Sequence, residues 1–196
     1  MTKVSLIKDN LYLCLGIFSP VIFYLYGNLS IVLVALYYGF NLNSRINGVR
    51  KKLKYTIISF ILIIPFIFLL SLTSKLILFE FPEQAKVLEM KINIYKNLTT
   101  NFISIIIVAP ILEEVIFRGF FYRAIKKFFP FVQAALISSL IFSLIHQNIL
   151  SLTVLFMLSL FLTWIYEKTK SILFPIIVHS IFNLLMLSLI LLENHA

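Results

Sequence analysis

Charge is scarce in this 196-residue chain: only 13% of residues are Asp, Glu, Lys or Arg, while 61% are hydrophobic. A soluble domain carries roughly 25% charged and about 45–50% apolar residues. A single soluble core of this size has no interior for so much Leu, Ile and Phe, and the mean hydropathy is +1.02. The surplus needs lipid, so a membrane protein is expected. Cysteine is almost missing too. Cys14 alone excludes an intrachain disulfide framework and a Cys-rich metal site, and its apolar surroundings suit a small packing residue. Acidic residues are also few, 8 against 17 Lys and Arg, for a net charge of +9. The basic residues lie between hydrophobic runs rather than on an aromatic-interleaved soluble patch, so no nucleic-acid partner is expected. Topology and anionic lipid account for them.

What the chain does have is long apolar runs. A span needs roughly 17–25 apolar residues, and on that basis there are seven segments: Leu11–Tyr26, Leu29–Phe40, Tyr55–Leu78, Phe102–Tyr122, Phe131–Ile149, Leu150–Tyr166 and Ile172–Leu192. The second is short enough to be tilted or re-entrant. Continuous runs exclude barrel strands, which alternate in polarity, and lipid requires helices that satisfy their own backbone. The expected fold is all-α, a polytopic transmembrane helix bundle of about seven spans. Lys3 and Lys8 before the first run resemble a signal peptide, but no small-x-small site follows, so a retained span is expected. The C-terminal Glu193-Asn194-His195-Ala196 is not itself a prenylation signal.

A cytoplasmic N-terminus puts every strong basic cluster on one side: Arg45 to Lys54, Arg123 with Lys126 and Lys127, and Lys168 with Lys170. The mixed-charge stretch 80–101, with Pro82, reads as an external loop or interfacial helix. It divides N-terminal helices (residues 1–79) from a C-terminal four-span core (residues 102–196).

That core contains residues that hydrocarbon excludes. An ionisable side chain at mid-span costs at least ~2.5 kcal/mol and marks function by default. Glu113 and Glu114 lie about halfway along the fourth segment. Residues four apart share a helix face, which pairs Glu114 with Arg118 and turns Glu113 about 100° away from that cation. A buried carboxyl without a counter-charge suits general acid–base work; helix cross-linking is the bland alternative. His146 ends the run Phe142-Ser-Leu-Ile-His146, and His179 and Asn183 share one face of the last segment, where they could equally be interhelical glue. Neither a GxSxG elbow nor an HExxH pair is present. On these boundaries His146 is nearer the external side than Glu113, and His179 nearer the cytoplasm. A common site therefore needs tilted helices or shifted ends.

Glu113-Glu114-Val-Ile-Phe-Arg118, Phe142-Ser-Leu-Ile-His146 and His179-Ser-Ile-Phe-Asn183 resemble the three motifs of the CAAX protease and bacteriocin-processing (CPBP or Abi) family. The resemblance covers the C-terminal four segments and implies an intramembrane endopeptidase. It assigns water activation to Glu113 and His146, oxyanion stabilisation to His179 and Asn183, and support to Glu114 and Arg118. It leaves two chemistries open: a glutamate-type mechanism without a cofactor, which is preferred, and a zinc site of Glu113, His146 and His179. Asn183 beside His179 suits hydrogen bonding better than zinc ligation. The substrate would be a small peptide or membrane-anchored protein. The Ile-, Phe-, Lys- and Asn-rich composition suggests a bacterial cell membrane, with bacteriocin processing, self-immunity or peptide signalling as the setting. Two other classes remain: a non-catalytic membrane partner with the same fold, and a proton-coupled transporter, which only 5 glycines disfavour.

Overall fold

The computed structural model describes residues 3–25, 102–147 and 149–193, with isolated helical positions from 54 to 65. Among them every regular element is helical: α1 (Lys3–Leu25), α2 (102–125), α3 (Phe131–Ile145), α4 (Ile149–Thr169) and α5 (Leu173–Glu193). The expected segment Leu29–Phe40, most of Tyr55–Leu78 and the stretch 80–101 lie outside the described residues. Ser151–Thr169 is long and apolar enough to cross a membrane, whereas Asn10–Leu25, Phe131–Ile145 and Leu173–Ser188 are apolar but shorter.

Helix α2 changes winding along its length. Ser104–Val108 and Val115–Tyr122 are π-helical, and Ala109–Glu114 between them is α-helical. Such underwound turns occur often at functional sites. Helix α1 packs along the second π stretch. Its Tyr12 hydroxyl donates to the Gly119 carbonyl, and Ser19 Oγ lies 2.9 Å from Gly16 O and 3.4 Å from Ile116 O. The two helices approach so closely at Gly16 that a Cβ there would fall 2.6 Å from the Ala124 Cβ; glycine is required for contact, not for conformation.

Helix α3 is shorter than the expected segment Phe131–Ile149. It ends at Ile145 with His146 as its cap, and Gln147 follows with φ +52°, a left-handed stop that commonly ends helices. Fifteen residues rise only ~22 Å, which is below the ~30 Å of a bilayer core. Its inner face is small and polar (Ala134, Ala135, Ser138, Ser139, Ser143), while Val132, Leu136, Leu140 and Leu144 point outward at four-residue spacing. Small residues inside and large apolar residues outside is the arrangement lipid favours. The core centres on Ile116, Phe117, Phe120 and Phe142, with a second cluster of Leu158, Leu162, Ile165, Val178 and Phe182 joining α4 to α5.

Candidate active site

The i, i+4 spacing of Glu114 and Arg118 gives the expected pair: Nη1 donates to Glu114 Oε1 at 2.7 Å, and both side chains are fully buried. A buried pair needs further hydrogen bonds to offset desolvation. Arg118 finds them on α4, where Nη2 donates to Ser159 O at 3.1 Å and Ser159 Oγ at 2.9 Å. Its guanidinium carbon also lies 5.0 Å from the centre of the Phe142 ring. Ser159 carries no motif and is one of several hydroxyl residues in an apolar run, so nothing in the sequence singled it out. Thr163 Oγ1 donates 2.8 Å to the same Ser159 carbonyl.

Glu114 Oε1 also meets His179 Nδ1 at 2.9 Å. A carboxylate accepts, so neutral His179 carries its proton on Nδ1 and turns a lone pair at Nε2 toward Glu113, whose Oε2 is 3.7 Å away. His146 is arranged alike. Its Nδ1 donates to Phe142 O at 2.7 Å, one turn back, and its Nε2 lies 3.9 Å from the same Glu113 oxygen. Of the four expected catalytic residues, His146 and His179 therefore converge on Oε2 of a third, Glu113, so that three helices meet there. The depth mismatch expected from the segment boundaries does not keep them apart: the His146 and His179 Nε2 atoms lie 3.9 and 3.7 Å from Glu113 Oε2.

Exposure divides the cluster. Glu114, Arg118 and His179 are 0–3% exposed, whereas Glu113 and His146 side chains keep 12% and 28%. His146 is the most exposed of them. Gaps of 3.7 and 3.9 Å are too long for direct hydrogen bonds. Asn183 stands apart from this triangle; its Nδ2 donates to Ile105 O of α2 at 2.9 Å.

Glu113 Oε2 and the two Nε2 atoms are the donors a zinc ion would take. Bonds of about 2.0–2.2 Å in tetrahedral geometry set such donors ~3.3 Å apart, closer than either distance here. Among the described residues no group of three or more His, Cys, Asp or Glu closes into a metal-holding arrangement. Nδ1 anchoring is shared by zinc ligands and catalytic bases, so it does not separate the two chemistries.

Residues 95–185 match the profile of the type II CAAX prenyl endopeptidase Rce1-like family. The chain is 38% identical over 77 residues to YdiL of Bacillus subtilis, which carries the name of a membrane peptidase; the match covers 39% of this chain and 32% of the relative. It is 38% identical over 88 residues, covering 42% of this chain and 35% of the relative, to the membrane-embedded CAAX protease MroQ of Staphylococcus aureus. The chain thus spans about a third of the length of the curated relatives it matches. No solved structure matches it. Residues 95–185, which hold both glutamates, Arg118, both histidines and Asn183, are thus similar to the Rce1-like CAAX prenyl endopeptidases.

Proposed function

We propose that the chain is a multi-pass intramembrane endopeptidase of glutamate type that hydrolyses a peptide bond without a metal. The observation that carries this reading is the convergence of His146 Nε2 and His179 Nε2 on Glu113 Oε2, at 3.9 and 3.7 Å. In this mechanism Glu113 and His146 together hold a water beside them. Glu113 takes its proton as the oxygen attacks the substrate carbonyl, and that proton then passes to the leaving amine. His179 and the free hydrogen of the Asn183 amide face the developing oxyanion. His179 is a donor there only when its Nε2 is protonated, since Glu114 already holds the proton on Nδ1. Glu114 and Arg118 fix the histidine and do not touch the reacting atoms.

The substrate in this reading is a small peptide or membrane-anchored protein that reaches the site from the His146 side. The N-terminus is cytoplasmic, in a bacterial plasma membrane, and the setting is peptide processing such as bacteriocin maturation, self-immunity or signalling. The names of the two relatives and of the family support the reaction class. The test is cleavage of a panel of membrane-anchored peptides by the purified chain in detergent, beside Glu113→Ala, with and without a chelator. Cleavage that persists in chelator and disappears in the variant is expected. Loss on chelation with recovery on added zinc would replace the metal-free mechanism, and full activity of Glu113→Ala would reject Glu113 as the base.

A further inference from the structure

Helix α2 is underwound immediately before the two glutamates. Over Ser104–Val108 its hydrogen bonds run five residues back, ending with the Ala109 N–H on Ser104 O. The next amide in that register belongs to residue 110 and would donate to Ile105 O. Residue 110 is proline and has no N–H. Carbonyls in an apolar bundle are rarely left unpaired, and this one is paired from another helix: Asn183 Nδ2 of α5 donates to it at 2.9 Å. The asparagine amide stands in for the one the proline removes.

The same face of α5 holds His179, one turn earlier, and His179 Nδ1 meets Glu114 Oε1 at 2.9 Å. Helix α5 therefore grips α2 at Ile105 and at Glu114, on either side of residues 110–113. An added residue in a helical turn rotates everything after it by about 100°. The underwound turn thus sets the direction in which Glu113 leaves the helix. Rewinding it would swing the Glu113 carboxylate away from the Nε2 atoms of His146 and His179, which lie 3.9 and 3.7 Å away.

We propose that Pro110 and Asn183 form a matched pair: the proline opens the carbonyl ladder, the Asn183 amide closes it, and together they hold Glu113 in line with the two histidines. Asn183 is then a positioning residue acting through the backbone of α2, in addition to any use of its second amide hydrogen. The pairing does not depend on which reaction the site performs.

The test is a double-mutant cycle of Asn183→Ala and Pro110→Ala in the full chain in detergent, reading the thermal midpoint and turnover on the peptide panel. Asn183→Ala should lower the midpoint by about 2–4 °C and reduce turnover with KM unchanged. Beside Pro110→Ala, where residue 110 supplies its own amide, the midpoint effect of Asn183→Ala should shrink to less than half, while the oxyanion share of the turnover loss persists. Equal midpoint effects in the two backgrounds would overturn the pairing. If Pro110→Ala does not fold, amide exchange in Asn183→Ala decides: faster exchange over 106–113 and not over 131–145 supports the pairing, and unchanged exchange over 106–113 overturns it. Coupled midpoints in a protein that cleaves no peptide would leave the pairing standing and remove the hydrolytic reading instead.

Discussion

One half of the site is sealed and the other is open, although Glu114 and Glu113 at their centres are adjacent in sequence. In the sealed half, one oxygen of Glu114 receives both Arg118 and His179, and Arg118 is held in turn by Ser159. In the open half, Glu113 has two histidine nitrogens near one oxygen and none within hydrogen-bonding distance. A carboxylate with one oxygen held by two donors at 2.7 and 2.9 Å is committed to structure. One that is partly exposed and without a direct donor on that oxygen is available for chemistry. A helix turn of 100° per residue is enough to send neighbouring glutamates into these two settings.

The largest expected effect breaks the open half alone. Glu113→Gln keeps the shape and removes the base, so turnover should fall about 10²–10⁴-fold with the thermal midpoint unchanged, as measured by peptide cleavage and thermal unfolding on one preparation. Next comes the sealed half. Glu114→Ala strands a buried guanidinium and should destabilise the fold by about 3–5 kcal/mol, read as a lower midpoint or loss of folded protein during purification. Ser159→Ala should act more weakly. Arg118 Nη2 keeps the Ser159 carbonyl, so a loss of about 1 kcal/mol is expected, with turnover falling only as far as His179 loses its orientation. The smallest effect is at the rim: Gln147→Gly relieves a positive φ but loses a hydrogen bond to the Tyr24 hydroxyl. Stability should change by less than about 1 kcal/mol, with cleavage retained.

Much of the sealed half was legible in the sequence because helix periodicity is local: four residues separate Glu114 from Arg118, and four separate His179 from Asn183. The convergence of three helices was not, because it depends on how α2, α3 and α5 pack; nor was the point at which α3 stops. The stop is a left-handed Gln147, a residue type that does not announce that conformation. Ser159 was hidden for a different reason, since a serine in an apolar run looks like any small packing residue until a buried arginine is found beside it. The support from α1 was equally unreadable, because Tyr12, Gly16 and Ser19 act on backbone atoms of α2. Pro110 drew no reading from the sequence, and its consequence, a carbonyl closed by Asn183, needed the packing of α5.

The division between the two glutamates is tested most directly by measuring peptide turnover and the thermal midpoint of Glu113→Gln beside wild type in the same detergent. Turnover lost with an unshifted midpoint is the predicted result. A variant that still cleaves at the wild-type rate, or that loses activity only because it unfolds, would contradict the assignment of Glu113 as the reactive carboxylate.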